Sequence, residues 1–258
     1  MKKLLVIGGT GFLGRFITQE ALKKNYEITL FHRGKTQSPH QGIVHEIFGD
    51  RNNSLDLQRL TNSQLHWDLM IDTCAYRPQQ IASLAAALEG RTIKGVLIST
   101  VSVYSTHVAG LTQTITENSP TEVFTHMETY GSLKYQCEVA FNKLFAFQPL
   151  VIRPGYIVGP YDRTERFTFW LKKIAAGGEF YEPESPDEQL QFIDVRDLAE
   201  WTLLLSEKIP GGIFNAVGPQ EDYTFGKFFE ACRNLINTSA SPIWLSETRL
   251  KEMGLLME

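Results

Sequence analysis

Cysteine is scarce in this sequence. The three cysteines, Cys74, Cys137 and Cys232, are far apart and form no Cys-x-x-Cys pair. The spacing therefore indicates neither a disulfide framework nor a cysteine zinc site, and it fits a reducing, cytoplasmic location. The six histidines also lack the spacing of metal ligands, so we expect no bound metal.

Long apolar runs and a strong excess of one charge are missing as well. No run of about 18 apolar residues occurs, which argues against a membrane-spanning helix. The formal net charge is -4, with both signs mixed along the chain. That balance disfavours nucleic acids and anionic membranes as partners and favours a small-molecule substrate. The 258 residues, 43% of them hydrophobic, are enough to bury a sizeable core.

Short apolar segments alternate with segments of helical period over the first part of the chain. This alternation is typical of βαβ units, and strands that are apolar throughout fit a parallel sheet covered on both faces. We therefore expect an α/β fold with a Rossmann-type, doubly wound parallel sheet. The predicted strands are Lys3–Ile7, Glu27–Phe31, Ile43–Phe48, Leu69–Asp72, Gly95–Ser99 and Leu150–Arg153. The predicted helices between them are Phe12–Lys24, Ser54–Thr61, Gln79–Leu88 and Thr129–Phe145.

The rhythm changes after Pro154, where segments rich in Pro, Gly and Asp predict loops at 159–162 and 182–187. Further helices are predicted at Arg166–Ala176, Val195–Ser206 and Thr224–Leu235. We expect a nucleotide-binding domain over 1–155, to which some later segments return, and a smaller substrate-binding lobe over 156–258. Residues 250–258 end inside an amphipathic pattern without a cap, which predicts a truncated C-terminus.

A glycine cluster directly follows the first predicted strand. Gly8, Gly11 and Gly14 are spaced three apart and lead into the helix predicted from Phe12. Such glycines permit a tight turn, let the backbone approach a pyrophosphate and bring the helix N-terminus towards the phosphates. The predicted cofactor contacts in this loop are Gly8, Thr10, Gly11, Phe12, Leu13 and Gly14.

Arg33 follows the second predicted strand, where a carboxylate would bind the ribose 2'-hydroxyl of NAD. Its guanidinium is suited to a 2'-phosphate, which favours NADP over NAD. The alternative is an exposed surface arginine. Asp50 and Arg51, after the third strand, are predicted beside the adenine, with a turn-forming aspartate as the equal alternative.

Tyr130 and Lys134 are four residues apart in a predicted helix, which places both side chains on one face. A nearby ammonium lowers the pKa of a phenol, so Tyr130 can exchange a proton with a substrate oxygen while hydride moves. Such pairs are common and usually structural. Here, however, the hydroxyl-rich segment 99–104 follows an apolar strand, at the sheet edge where open α/β sheets bind ligands.

In combination, these features resemble the extended short-chain dehydrogenase/reductases, the NAD-dependent epimerase/dehydratase family, over roughly residues 1–220. Segments 153–160 and 192–199 add to the resemblance. It implies that Thr100 is the hydroxyl of a catalytic triad, that Tyr130 is its acid/base, and that Lys134 binds the nicotinamide ribose and tunes Tyr130. It further implies a homodimer formed through helices Gln79–Leu88 and Thr129–Phe145. The cofactor contacts implied beyond the glycine loop are Cys74, Ala75, Tyr76, Lys134, Pro154 and Ile157.

Two departures from the family pattern narrow the substrate. Dehydratases resemble Thr-Asp-Glu at the triad position, whereas Thr100 is followed here by Val101 and Ser102, which argues against a 4,6-dehydratase. The Asn and the Arg that clamp a nucleoside diphosphate in epimerases of this family are missing at 155–156 and 189–191, which casts doubt on UDP-galactose-like substrates. Arg163, Arg166 or Arg196 as a substitute clamp is the alternative.

The pattern most resembles an atypical branch described as isoflavone-reductase-like or chloroplast stem-loop RNA-binding protein-like. Some members of that branch use the fold for binding and not for turnover. The sequence therefore favours an oxidoreductase or epimerase that uses NADP, with NAD as the alternative, on a sugar-like or other hydroxy or keto compound. A cofactor-bound RNA-binding or regulatory protein, or a cofactor-sensing scaffold, is the competing hypothesis.

Overall fold

The computed structural model describes residues 1–104, 115–119, 121, 128–146, 148–183 and 185–254. The strands in these ranges are β1 (Lys3–Ile7), β2 (Glu27–His32), β3 (His45–Phe48), β4 (Leu69–Asp72), β5 (Gly95–Ile98), β6 (Leu150–Pro154), β7 (Tyr156–Val158), β8 (Gly178–Pro183), β9 (Phe192–Asp194), β10 (Gly212–Ala216) and β11 (Ala240–Leu245). The helices are α1 (Phe12–Lys23), α2 (Ser54–Asn62), α3 (Pro78–Ala87), α4 (Tyr130–Leu144), α5 (Arg166–Ala176), α6 (Val195–Lys208), α7 (Phe225–Leu235) and α8 (Glu247–Glu252). A 3-10 turn spans Val101–Val103.

The main sheet of the described chain has seven strands in the order β10-β6-β5-β4-β1-β2-β3. Every neighbouring pair in it is parallel. The order moves outwards from β1 in both directions, so the carboxyl ends of β1 and β4 are adjacent at the centre of one edge. This is the predicted doubly wound α/β fold, and the prediction is confirmed.

Burial on both faces explains the apolar strands. In β1, Leu5 and Ile7 belong to a core cluster with α2, α3 and α4. Leu4 and Val6, which alternate with them, are also fully buried. Both faces of the strand are therefore covered, as a parallel sheet requires.

Contacts divide the chain into two compact units. The first consists of Met1–Ile157 and Asp194–Ala216, and it contains the seven-stranded sheet. The second consists of Val158–Ile193 and Val217–Glu258. Its core is largely aromatic, with Phe228 and Phe229 of α7 at the centre and Trp170 of α5 packed against them. Strands β8 and β11 pair in parallel in this unit.

Two local expectations differ from the structure. The segment Gly212–Ala216 was not predicted as a strand, yet it forms β10 and pairs with β6 along its length. The segment 182–187, predicted as a loop, begins inside β8, which continues to Pro183. Both strands depend on a distant partner, so the local sequence indicates them only weakly.

Within the described ranges, no helix is both long and apolar enough to cross a bilayer. In the same ranges, no three His, Cys, Asp or Glu side chains gather as metal ligands would.

Candidate active site

The glycine loop lies between the end of β1 and the start of α1. Gly8 adopts a φ of +86°, and its N–H donates to the carbonyl of Phe31 at 3.0 Å. The N–H of Gly11 donates back to the carbonyl of Gly8 at 3.0 Å. The first bond extends the pairing of β1 with β2, and the second closes the tight turn that the sequence predicts.

Gly14 sets how closely the helix approaches that turn. A Cβ atom at this position would lie 2.3 Å from the carbonyl oxygen of Gly8 and 2.8 Å from the Cα of Gly9. No side chain can be accommodated there, so the first turn of α1 is in direct contact with the loop. Gly11 is the N-cap of α1 and provides no side-chain hydrogen bond. The amides that begin this helix can therefore face an anion, together with the positive end of the helix dipole.

The remaining predicted residues of the loop have different exposures. Gly11 is exposed, Thr10 and Phe12 are half-buried, and Leu13 is buried. Leu13 therefore reaches a ligand only through its backbone.

The end of β2 carries the predicted 2'-phosphate residue, Arg33, which is exposed. It lies between His32, which is 6% exposed, and Gly34, which adopts a φ of +73°. The ring of His32 accepts a hydrogen bond from the N–H of Gly34 at Nδ1, over 3.2 Å. Arg33 therefore lies in a turn that is stabilised by the hydrogen bond from Gly34 to the buried His32 ring.

Asp50, after β3, is half-buried and organises the backbone around it. Its Oδ1 accepts hydrogen bonds from the backbone and side-chain nitrogens of Asn52, both at 2.9 Å. Its own N–H donates to Asp56 at 2.9 Å. The carboxylate has the turn-forming role that the sequence left as the alternative.

Arg51 is 7% exposed and makes a two-point ion pair with Asp72 at the end of β4, at 2.7 Å and 2.8 Å. The same guanidinium lies 3.3 Å from the carbonyl of Gln80 and 3.5 Å from Cys74 Sγ. Its pKa is raised above the ordinary value because the attraction of Asp72 outweighs the effect of burial. This pair binds the segment after β3 to the end of β4, although β1 and β2 lie between those two strands in the sheet.

Cys74, Ala75 and Tyr76 form the segment that follows β4. Cys74 is adjacent to the glycine loop, since a Cβ on Gly8 would lie 2.9 Å from its Sγ. Burial raises the pKa of the Cys74 thiol, so it stays protonated at neutral pH. Ala75 is fully buried, whereas Tyr76 is 52% exposed.

Lys134 joins this segment to the next strand. It is 3% exposed, and its Nζ donates to the carbonyl of Ala75 at 2.8 Å and to the carbonyl of Ile98 at 2.7 Å. The same ammonium lies 5.5 Å from the centre of the Tyr76 ring. Burial lowers the pKa of Lys134 below its ordinary value. The two carbonyls compensate part of the cost of desolvating the charged form.

Tyr130 is the first residue of α4, one helical turn before Lys134, and is 51% exposed. Thr129 caps this helix by accepting a hydrogen bond from the N–H of Ser132 at 3.1 Å. Thr100, two residues after Ile98, is 8% exposed and caps the 3-10 turn by accepting from the N–H of Ser102 at 3.1 Å. Its hydroxyl also bonds to that of Ser102 at 3.2 Å.

The structure therefore brings Gly8, Cys74, Ala75, Tyr76 and Lys134 together at the carboxyl edge of the sheet. Pro154 is buried at the end of β6, and Ile157 is half-buried in β7. Neither has a side-chain contact with that group among the interactions of the described residues.

A buried charged network behind this edge was not found by sequence reasoning. Arg153 of β6 is 2% exposed and bonds to both carboxylate oxygens of Glu138, at 3.0 Å and 2.6 Å. Its guanidinium also donates to the hydroxyl of Tyr104 at 3.0 Å, and that hydroxyl donates to Asn215 at 2.6 Å. Glu138 is four residues after Lys134 on α4, so it lies on the same helix face. Two features of the sequence could have indicated this network: Glu138 lies four residues after Lys134, and Arg153 lies near the end of an apolar strand.

Comparison with known proteins bears on the family and the fold of the chain. The sequence profile of the NAD dependent epimerase/dehydratase family matches residues 4–217. A curated relative, the chloroplast stem-loop binding protein of 41 kDa b of Arabidopsis thaliana, is 26% identical over 253 residues. The match covers 90% of this chain and 62% of that relative, so the chain spans less than two thirds of the relative's length.

Two solved structures show the same fold. The UDP-glucuronic acid 4-epimerase of Bacillus cereus in complex with NAD has a TM-score of 0.76 at 20% identity, over 95% of this chain and 87% of that one. The enzyme WbmH of Bordetella bronchiseptica in complex with NAD+ has a TM-score of 0.77 at 15% identity, over 100% and 93% of the two chains. The match to the family profile confirms the resemblance seen in the sequence, and the chain belongs to the NAD-dependent epimerase/dehydratase family.

Proposed function

We propose that this protein is an NAD(P)-dependent oxidoreductase or epimerase that acts on a sugar-like or other hydroxy or keto small molecule. The observation that carries the proposal is the placement of Lys134. Its ammonium is buried against two strand-end carbonyls, one helical turn from the half-exposed Tyr130. The two bonds stabilise the fold, and they also fix a positive charge on the helix that carries Tyr130, as a proton-transfer site needs.

The residues present fit a dinucleotide. Position 14 has no space for a side chain, so α1 begins directly against the glycine loop. No side chain caps the first turn of α1, so its amides can bind a ligand. A pyrophosphate would be held there by Gly8, Thr10, Gly11, Phe12, Leu13 and Gly14, mainly through backbone amides. When bound, the nicotinamide would supply the acceptor or donor of hydride.

The chain's own residues have separate roles in the proposed chemistry. Tyr130 gives its phenolic proton to a substrate oxygen or takes one from it. Lys134 stabilises the tyrosinate form through its positive charge and holds the nicotinamide ribose. Thr100 orients the substrate oxygen, which requires its hydroxyl to turn away from Ser102 when substrate binds.

The cofactor preference is proposed to be NADP, with NAD as the alternative, because Arg33 is exposed at the turn after β2. We propose that Asp50 and Arg51 form part of the protein surface beside the adenine. Their side chains are bonded to Asn52 and Asp72, so we assign them a packing role and not a direct hydrogen bond to the base. The nicotinamide end is assigned to Cys74, Ala75, Tyr76, Pro154 and Ile157. The second unit is assigned to substrate binding, and the protein is proposed to act as a cytoplasmic homodimer.

A substrate screen with matched tyrosine variants tests the mechanism. The purified protein is incubated with NADP+ or NAD+ and a panel of nucleotide-activated sugars and simple hydroxy or keto compounds. Formation of reduced nicotinamide and of epimerised product is followed. Tyr130→Phe should lower turnover of any active compound by roughly 10²–10⁴-fold. Tyr135→Phe, one turn further along α4, should leave turnover close to wild type. Equal turnover by the two variants would overturn the assignment of Tyr130.

RNA binding is the second candidate function, because the Arabidopsis relative is named for binding a stem-loop. The net charge of -4 counts against it. Affinity for a stem-loop RNA that falls steeply as salt rises would support this alternative. No binding at low salt would exclude it.

A further inference from the structure

The turn that presents Arg33 is organised by the residue before it. Within the described residues, the guanidinium of Arg33 makes no ion pair or hydrogen bond that would hold it in place. Its position is therefore set by the backbone on either side of it. On one side is His32 and on the other Gly34, whose φ of +73° turns the chain sharply.

Both ring nitrogens of His32 are engaged. Nδ1 is 3.2 Å from the N–H of Gly34, and Nε2 is 2.7 Å from Oε2 of Glu46 on β3. Because an N–H group points at Nδ1, that nitrogen has to be the acceptor of the ring. The proton is then on Nε2, where it is donated to the Glu46 carboxylate. These partners select one neutral tautomer, and in that tautomer each nitrogen makes one hydrogen bond.

Packing closes the turn from the other side. The ring of His32 meets that of Phe48 edge to face, with 5.1 Å between the ring centres. A Cβ on Gly34 would lie 3.2 Å from the Phe48 ring, so the turn itself also packs against it. The backbone carbonyl of His32 accepts from the N–H of Gly49 at 2.9 Å. The ring is 6% exposed, which shields its bond to Gly34 from competing water.

We propose that His32 is a positioning residue for cofactor specificity. Its Nδ1 holds the Arg33–Gly34 turn in the shape that presents the guanidinium to the 2'-phosphate of NADP. The inference rests on the proposed function, because it needs Arg33 to meet that phosphate. NAD lacks that phosphate, so a displaced Arg33 should weaken NAD+ binding much less than NADP+ binding. A merely structural role for His32 would instead affect the two nucleotides equally.

The test is a set of calorimetric titrations with NADP+ and NAD+ on the full chain. The variants are Arg33→Ala, His32→Leu, His32→Asn and the double variant His32→Leu/Arg33→Ala. His32→Leu removes the acceptor at similar size, whereas the amide oxygen of His32→Asn can replace Nδ1. We expect His32→Leu to weaken NADP+ binding about tenfold, with NAD+ binding within about twofold of wild type. His32→Asn should recover most of the loss, and the double variant should bind NADP+ no more weakly than Arg33→Ala.

Equal loss for the two nucleotides, or additive losses in the double variant, would overturn the role of His32. If His32→Leu does not fold, Glu46→Ala releases Nε2 and should give a smaller loss confined to NADP+. A loss that is equal for NAD+ would again contradict the proposal.

The results also separate this inference from the proposed function. If Arg33→Ala lowers NADP+ affinity selectively while His32→Leu does not, only the role of His32 fails. If Arg33→Ala binds NADP+ as tightly as wild type, the cofactor assignment of Arg33 fails and the role of His32 fails with it.

Discussion

The ammonium of Lys134 lies 2.7 Å from the carbonyl oxygen of Ile98, at the end of β5. Through this contact, α4 fixes a buried positive charge two residues before Thr100. The second acceptor, Ala75, follows β4, so one side chain is bound to the ends of two neighbouring strands. Tyr130 is on the first turn of the same helix.

Replacing Lys134 by methionine should therefore affect both folding and activity. The two carbonyls lose their donor inside the protein, which we expect to cost about 1–3 kcal/mol of unfolding free energy. In the proposed mechanism turnover is lost as well, because the positive charge that stabilises the tyrosinate form of Tyr130 is gone. Chemical denaturation and the substrate screen measure the two effects. Lys143→Met, an exposed position on the same helix, should be nearly silent in both, and a Lys134→Met enzyme with normal turnover would contradict the assignment.

The pH dependence of turnover should show the lowered pKa of Lys134. Burial favours the neutral amine, so the ammonium loses its proton at a lower pH than an ordinary lysine does. In the proposed mechanism, the tyrosinate form of Tyr130 loses its stabilising charge above that pH. We expect the alkaline limb of the pH–rate profile to fall below the ordinary lysine value of 10.5. A profile that stays flat through this value would argue against a role for the ammonium in turnover.

The ion pair between Arg153 and Glu138 gives a prediction about stability. Both side chains are almost fully buried, and their closest atoms are 2.6 Å apart. Arg153→Leu leaves the Glu138 carboxylate buried without its cation, which should cost about 3–5 kcal/mol of unfolding free energy. Changing both residues to leucine should recover much of that loss, since a buried pair can be replaced by apolar side chains at little cost. Urea denaturation measures all three proteins, and a single variant as stable as wild type would contradict the prediction.

Two glycines of the cofactor loop should respond differently to alanine. At Gly14 the added methyl would lie 2.3 Å from the carbonyl oxygen of Gly8, so Gly14→Ala should displace α1 and destabilise the fold by about 1–3 kcal/mol. At Gly11 the closest atom would be 3.3 Å away. Gly11→Ala should therefore lose much less stability than Gly14→Ala. It should lose cofactor affinity, because in the proposed function the methyl lies at the approach to the pyrophosphate. Thermal unfolding and nucleotide titration of the two variants distinguish these effects, and normal stability of Gly14→Ala would refute the packing argument.

The second unit should lose stability as the pH rises, because of Glu182. This side chain is 1% exposed, and its Oε1 accepts no hydrogen bond from any described residue. Burial raises its pKa from 4.5 to about 8, although the ammonium of Lys173, 3.7 Å away, works in the opposite direction. Between these two values the folded protein keeps a proton that the unfolded chain releases, so the unfolding free energy falls as the pH rises through this window.

Glu182→Gln should remove that dependence, since the amide carries no charge at either pH. Glu179→Gln, exposed on the same strand, should keep it. Thermal unfolding at about pH 5 and about pH 8 compares the proteins. The explanation would be wrong if Glu182→Gln retained the full loss of stability between the two conditions.

Most of the fold could be predicted from local patterns. The bounds of β1 and β4 are those predicted, because apolar β-branched runs between turn residues indicate buried strands directly. Strand β10 was missed because Gly212–Ala216 is short and partly exposed, and it is a strand only through its pairing with β6. No local signal describes a partner more than sixty residues away.

In the candidate site, too, local features could be predicted and contacts between distant residues could not. The glycine loop and the Tyr130–Lys134 pair are local motifs, so their geometry follows from spacing. The partners of Arg51 and Arg153 are side chains on other elements, and a single sequence does not show which charges meet. For that reason the ion pair of Arg51 with Asp72 was not predicted. The place of Arg51 beside the adenine stays a prediction.

Calorimetric titration of the purified protein with NADPH and NADH tests the central claim most directly. The account predicts saturable binding of one nucleotide per chain, tighter for NADPH, and lost in Gly11→Ala. If neither nucleotide binds while the wild-type protein is folded, the enzyme hypothesis is contradicted, and the function has to be sought in RNA or protein binding.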